Sequence, residues 1–431
     1  MNSTFKQRKT KLASLLPENS AMVIAGASMQ FRNADSAYAF RQDSNFWYLT
    51  GFNEPDSILV LLVNKNRQFE SIAFVPEKDE LKEIWDGHRS GPKGAIQDYD
   101  FDLAFNNSEI DKKLPDFLSG RNKVFYPFGK NKSLDKNIIK WIKSAKSKDR
   151  HSSAIDIADA SSKIGNQRLI KDDEEIKIMR EACQISAEAH LEAMKFVKPG
   201  MSEQQIEAFY QYEFSKRGGR FSAYSPIVAG GENACVLHYV DNSEILKDGE
   251  LLLVDAGCEF KLYASDITRT FPINGKFNSP QLGVYEVVLE AQQKSIEAIS
   301  INNNVMDAQI ISEKIITQGL VDLGILNGSV EDLHETGAFK AFYMHKIGHW
   351  LGIDVHDSGD YMEDDDFMKF KPGMVTTVEP GIYISSASDV DDKWKGIGIR
   401  IEDDILVTKN GNENLTKFVP TCPKEIESLM A

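Results

Sequence analysis

The alternation of apolar and polar positions divides the chain into two regions. Residues 4–17 carry apolar positions at helical spacing and end at Pro17, which predicts a short amphipathic helix. Ala21–Ala27, Ser57–Val63 (SILVLLV), Ser71–Val75 and Lys123–Tyr126 are short apolar runs bounded by turn residues and read as strands. A helix is predicted over Leu134–Ser147. Up to about Arg168 this is the pattern of an α/β domain with no catalytic cluster of its own. Two polar, aromatic segments interrupt it, Arg32–Asp56 and Glu83–Gly91, and both read as surface loops. Trp85, in the second, is a candidate binding lip or oligomer contact.

Beyond the polar stretch SSKIGNQR the periodicity lengthens. Asp172 and Glu175 form a capping box. Ile176, Met179, Cys183, Ala187, Leu191 and Met194 follow at helical spacing, as the core face of one helix. Pro199-Gly200 stops that helix and Ser202 caps the next. The domain boundary therefore falls before Asp172, dividing residues 1–168 from 169–431. The second region repeats itself weakly. KDGELLLVD (Lys247–Asp255) matches KPGMVTTVE (Lys371–Glu379), and MSEQQIE (Met201–Glu207) resembles VMDAQII (Val305–Ile311) as a helix start. A duplicated unit of two helices and acid-bearing strands accounts for both matches.

The acids ending the first pair of repeats belong to a larger set. Leu251–Asp255 is an apolar run delivering Asp255, and after a turn a second strand is expected to carry Asp266. Val375 and Val378 precede Glu379, and Ile399 and Ile401 flank the Arg400–Glu402 stretch. In GIGIRIEDD, strand alternation places Arg400, Glu402 and Asp404 on one face. A single carboxylate in an apolar strand is most simply a salt bridge or a sheet edge. Two such strands beside His345, His349 and His356 point to a metal site, because a buried carboxylate is costly unless paired or bound to metal. Asp255, Asp266, His349, Glu379 and Glu402 carry too much negative charge for one divalent ion. Two ions neutralise it, and an oxygen-rich donor set favours a hard ion such as manganese. His345 and His349 have the HxxxH spacing of a helical zinc motif, but Lys346 stands where that motif needs Glu, and Gly348 and Gly352 disfavour a long helix. His88, His151, His190 and His334 lack such context and read as structural.

Composition narrows the partners. A net charge of −15 over 431 residues argues against general nucleic-acid binding and against an anionic membrane surface. Cys183, Cys235, Cys258 and Cys422 are scattered without CxxC spacing, as in a reducing cytoplasm. The basic N-terminus lacks a signal-peptide apolar run, and no stretch reaches membrane-spanning length.

VLHY, VDAGCEF, SDITRTFP, HKIGHWLGIDVHD, VEPGIYI and GIRIEDD resemble the pita-bread metallopeptidases, and the aminopeptidase P branch in particular. The resemblance extends through RNADSAYAFRQDSNFWYLTGFNEPD and EIWDGHRSG, and so covers nearly the whole chain. It implies an N-terminal aminopeptidase-P-like α/β domain (1–168) and a duplicated pita-bread catalytic domain (169–431). It implies that Asp255 binds one metal, that His349 and Glu379 hold the other, and that Asp266 and Glu402 bridge the pair. A metal-bridging hydroxide would be the nucleophile and Glu379 its proton acceptor. His238 and His356 would steady the tetrahedral intermediate or the leaving nitrogen, and His345 would line the proline pocket with Trp350. Arg400 would support the ligands, Tyr383 would close the same wall, and Trp85 would serve a neighbouring subunit of a homo-oligomer, dimer or tetramer. The segment after DVHD contains no Arg, unlike that of some relatives.

The reading that follows is a manganese-dependent Xaa-Pro aminopeptidase acting on peptides with proline second. Proline lacks an amide N–H and restricts its neighbour, so a dedicated pocket is physically sensible. Prolidase, which cleaves only Xaa-Pro dipeptides, is the nearest rival. A non-catalytic binding protein on the same fold is the rival of another class, and it should have lost ligands.

Overall fold

The computed structural model describes residues 2–148 and 154–431, and these divide into two compact units, Met1–Arg168 and Leu169–Ala431. His151 lies outside the described residues. Among the described residues no helix is long and apolar enough to cross a membrane.

The first unit opens with α1 (Asn2–Ser14) and β1 (Ser20–Ala25). α2 (Ser44–Thr50), β2 (Ile58–Val63), β3 (Phe69–Val75) and α3 (Glu80–Asp86) follow. β4 (Leu103–Asn106), β5 (Lys123–Tyr126), α4 (Lys132–Lys148) and β6 (Asp156–Asp159) complete the frame. The six strands form one mixed sheet in the order β4-β3-β2-β1-β5-β6. β1–β2 and β2–β3 are antiparallel, while β3–β4, β1–β5 and β5–β6 are parallel. Val23, Val60, Leu62 and Phe74 from the strands bury against Leu114 and Trp141 from the covering helices.

Two loop expectations are corrected here. Arg32–Asp56 contains α2, capped by the Asp43 side chain and closed by Gly51 in the left-handed region, with Phe46, Tyr48 and Leu49 buried. A run of aromatic residues mixed with polar ones hid a helix that buries most of its surface. Trp85 stands on α3 rather than in a loop, 87% exposed beside exposed Leu81 and Ile84.

The second unit begins with α5 (Asp173–Phe196), whose capping box of Asp172 and Glu175 is present. α5 stops at Phe196, ahead of Pro199-Gly200, with Val197 already extended. α6 (Glu203–Lys216), β7 (Ile227–Gly230), β8 (Leu251–Asp255) and β9 (Thr268–Pro272) complete the first half. α7 (Ser279–Ala298), α8 (Val305–Asp322), β10 (Val375–Val378) and β11 (Gly381–Ile384) open the second. β12 (Ile397–Arg400), β13 (Asp403–Thr408) and β14 (Gly411–Asn414) close it. Each half is thus a helix pair followed by an antiparallel three-stranded sheet, β7-β8-β9 and β10-β13-β14. At residue level the helix starts align differently from the sequence match. Ser202 and Asn304 are the equivalent caps, each in a capping box, so Met201 does not correspond to Val305.

The acids lie where strands end or break. Asp255 is the last residue of β8, but Asp266 sits in the link before β9, not on a strand. Glu379 falls in the gap between β10 and β11, and Glu402 in the gap between β12 and β13. β11 pairs with β12 and β10 with β13, so the two gaps face each other. GIGIRIEDD is therefore two strands, not one alternating strand. A broken strand frees its side chains from the two-residue alternation and lets an acid turn into a shared cavity.

A buried histidine supports the end of β8. His190 of α5 is wholly buried; Nε2 donates to the Ala256 carbonyl at 2.9 Å, and Nδ1 accepts from the Tyr210 hydroxyl at 3.0 Å. Burial pushes the ring down from 6.5 to about 3, so it stays neutral in the folded state. An unfolded His protonates near 6.5, so the unfolded chain binds the extra proton between those values. The stability that neutral His190 contributes is complete above pH 6.5 and is lost as pH falls towards 3. We predict that His190→Gln flattens the fall in unfolding free energy below pH 6.5 by up to about one proton. Denaturant titrations of wild type and variant at a series of pH values check this; parallel pH dependences would contradict it.

Candidate active site

Three strand systems and one irregular segment build the cavity. Residues 347–351 run along β10: Thr377 donates to the His349 carbonyl (3.0 Å), Leu351 to the Val375 carbonyl (3.0 Å) and Glu379 to the Ile347 carbonyl (2.8 Å). His349 N–H donates in turn to the Thr377 hydroxyl at 3.0 Å. Gly348 permits this approach, because a Cβ there would overlap the Thr377 carbonyl. No helix carries His345 and His349, as the flanking glycines indicated.

These elements converge on a cavity of about 960 Å³ lined by Asp255, Asp266, His349, Glu379, Glu402 and Arg400, together with His238, His345 and His356. Ligand atoms of Asp266, His349 and Glu402 lie within 4.8 Å of one another. His349 Nδ1 donates to the Trp350 carbonyl at 3.1 Å, which leaves Nε2 facing Asp266 Oδ2 (3.5 Å) and Glu379 Oε1 (3.6 Å). Asp255 is held by Arg400 at 2.7 Å. Glu402 accepts from the Thr268 hydroxyl at 2.6 Å and Glu379 from the Thr377 hydroxyl at 3.3 Å. Tyr224 Oη stands 2.6 Å from Asp255 Oδ1 and 2.5 Å from Asp266 Oδ1, so one phenol proton is shared between two carboxylates.

The charges show what the cluster lacks. Burial, then repulsion from Asp255, raises Asp266 from its ordinary value. Burial raises Glu379 to about 7, against the pull of His349. Burial and the facing acids push Glu402 well up. Burial disfavours charged His349, yet Asp266 and Glu379 outweigh it and raise the ring to about 9. Arg400 and His349 thus leave the four acids short of positive charge. An oxygen-rich, buried, charge-deficient set with one imidazole nitrogen turned towards its acids fits hard divalent cations.

The other histidines differ in their freedom. His345 donates from Nδ1 to the Lys346 carbonyl and accepts at Nε2 from Tyr383, both at 2.8 Å. Arg400 donates to the same tyrosine oxygen at 3.1 Å, completing a chain from Asp255 through Arg400 and Tyr383 to His345. Burial and Arg400 lower His345 to about 4. Both of its ring nitrogens are engaged, so it presents a neutral ring to the cavity. His238 and His356 also line the cavity, and His356 packs edge-on against His349 with ring centres 4.3 Å apart.

Two expected substrate contacts are corrected. Trp350 is 1% exposed and lies outside the lining, because its strand bridge to Thr376 turns it into the core, where it stacks on Tyr361. Tyr361 is the residue that lines the cavity. Tyr383 is also buried behind the wall and reaches the cavity only through His345 and Arg400. Trp85 belongs to the first unit, exposed on α3. Asp404 is not on the cavity face; it accepts from the Asp266 N–H (3.0 Å) and the Cys183 thiol (3.3 Å). Sequence reasoning missed Tyr224 and Thr268, because neutral hydroxyls in SAYSPIVAG and SDITRTFP carry no charge pattern to mark them.

Tyr224→Phe removes the proton shared by Asp255 and Asp266 while keeping the ring. Outer partners of this kind are worth about 10- to 100-fold in metal affinity or activity. We expect divalent-ion binding to weaken by about that factor with the fold intact. Calorimetric titration of metal-free protein, with circular dichroism as the folding control, measures it; unchanged affinity would show that the bond is dispensable.

Comparison with known proteins follows the same outline. The description Metallopeptidase family M24 matches residues 177–409, and Aminopeptidase P, N-terminal domain, matches residues 5–126. The chain is 44% identical over 427 residues to an Xaa-Pro aminopeptidase of Haemophilus influenzae, covering 99% of this chain and 96% of that protein. The solved Pseudomonas aeruginosa aminopeptidase PepP superposes with a TM-score of 0.97 at 44% identity, covering 100% of this chain and 98% of that one. Zn-substituted Escherichia coli aminopeptidase P in complex with product gives a TM-score of 0.96 at 40% identity, with the same coverage.

Proposed function

The chain belongs to metallopeptidase family M24, with the N-terminal domain of aminopeptidase P, and from that membership we infer that it is an Xaa-Pro aminopeptidase. It hydrolyses the bond between an N-terminal residue and a following proline. Residues 1–168 are then the aminopeptidase P N-terminal domain and 169–431 the pita-bread catalytic domain. The observation that carries the reading is the convergence of four carboxylates and His349 on one cavity, with no ligand position lost. That completeness also speaks against a non-catalytic binding role.

Asp255, Asp266, His349, Glu379 and Glu402 would hold two divalent ions, manganese by the hardness of the donors. Asp266 and Glu402 would be shared between the ions, Asp255 would serve one, and His349 and Glu379 the other. When bound, such ions supply Lewis-acid polarisation and an acidified water. The chain's own groups do the rest. Glu379 takes the proton of the attacking water as it adds to the scissile carbonyl. When the C–N bond breaks, that proton passes to the proline nitrogen. His238 and His356, on the cavity wall, donate to the charge that develops on the reacting amide. His345 offers a neutral face to the proline ring, fixed by Tyr383 and the Lys346 carbonyl. Arg400 holds Asp255 and fixes its direction.

Four free cysteines support a reducing cytoplasm as the compartment. Exposed Leu81, Ile84 and Trp85 on α3 support assembly into a homo-oligomer.

Chelation is expected to abolish activity, and manganese to restore it best among divalent ions. Elemental analysis alongside peptidase assays tests this, and full activity in metal-free protein would refute it. Xaa-Pro-Yaa peptides should be cleaved far better than Xaa-Ala-Yaa peptides, and longer peptides as well as Xaa-Pro dipeptides. Comparable kcat/KM across the Pro and Ala series would indicate a broad aminopeptidase; cleavage of dipeptides alone would indicate a prolidase.

A further inference from the structure

We propose that the buried Lys171–Asp357 ion pair is the device that positions His356. Its kinetic consequence rests on the function inferred above, whereas the positioning itself rests on geometry.

The chain between His349 and His356 forms a compact loop without helix or strand. The loop closes on itself: Asp357 N–H donates to the Trp350 carbonyl (2.8 Å), and Gly352 N–H to the Asp354 carbonyl (3.1 Å). Trp350 N–H donates to the Tyr361 hydroxyl at 3.0 Å. The Gly352 carbonyl accepts from Ala264, two residues before Asp266, at 2.8 Å.

Lys171 reaches this loop from the start of the catalytic unit. Its Nζ lies 3.0 Å from Asp357 Oδ2, and each side chain is 1% exposed. Lys171 is itself anchored, its N–H donating to the Gly373 carbonyl (2.9 Å) and its Nζ to the Leu169 carbonyl (3.4 Å). Gly352 makes room, since a Cβ there would overlap Asp357 Oδ2 and crowd Lys171 Cε.

Neither charge joins the metal-ligand set. A buried ion pair is seldom more stabilising than an apolar pair of the same volume, so stability alone gives little reason for it. What it adds is direction. The pair fixes Asp357 in the interior, and the adjacent His356 is thereby presented to the cavity, edge-on to His349. Lys171 and Asp357 are positioning residues, acting through His356.

The test compares Lys171→Met, Lys171→Arg and the double variant Lys171→Met/Asp357→Leu, which removes both charges of the pair. Amide exchange over residues 350–357 is measured in metal-free protein, and kcat, KM and metal content in loaded protein. In Lys171→Met, exchange in the loop should rise by about tenfold or more while β10 and β13 stay protected. Its kcat should fall by about 10- to 100-fold with KM little changed and both metals retained. Lys171→Arg should recover most of kcat. The double variant should recover thermal stability but not kcat. Recovery of both stability and kcat in the double variant would overturn the proposal, as would unchanged loop exchange in Lys171→Met. Should Lys171→Met fail to fold, the double variant carries the comparison. If the wild type cleaves no Xaa-Pro peptide, the function fails while loop exchange still decides the positioning.

Discussion

Four carboxylates held around one point, mostly out of water, are the constraint to which the catalytic unit answers. A buried ion costs several kcal/mol unless opposite charge or hydrogen bonds offset it. Arg400 offsets Asp255, and His349 offsets Asp266 and Glu379 in part. Neutral hydroxyls of Tyr224, Thr268 and Thr377 satisfy further lone pairs. The remaining deficit is visible in how far burial and the facing acids raise Glu402, and in the same direction at Asp266. Such a cluster is a poor device for stability and a good one for capturing cations, since ions bound by the folded chain add their binding energy to folding.

The broken strands follow from the same demand. A continuous β-strand sends alternate residues to fixed faces, whereas the gaps at Glu379 and Glu402 let both acids enter one cavity from paired strands. Behind them a layer of uncharged or distant groups holds the frame. His190 carries the Ala256 carbonyl, Asp404 carries the Asp266 N–H, and Thr377 carries His349. Duplication supplies the symmetry: each half brings a helix pair, a three-stranded sheet and two of the four acids.

Charge and periodicity were legible in the chain. Helix starts at Asp172 and Ser202, the four acids and one imidazole that meet in the cavity, the non-helical setting of His345 and His349, and the two-fold order of elements all have local causes: caps, glycines, apolar spacing. What failed did so for local reasons too. α2 was hidden because its buried residues are aromatic and mixed with polar ones, and the repeat was misaligned because a cap can be Ser in one half and Asn in the other.

The sequence by itself determined which residues are chemically able to hold metal, since carboxylate and imidazole are identities, not arrangements. Only the tertiary structure decided which way each side chain turns. Trp350 follows His349 directly, yet a bridge to Thr376 sends it into the core, while Tyr361, eleven residues further on, receives its ring and lines the cavity. Tyr224, Lys171 and Asp357 acquire meaning only through partners 31 to 186 positions away. Those contacts are fixed by sheet pairing and packing between distant segments, and no pattern along the chain encodes them.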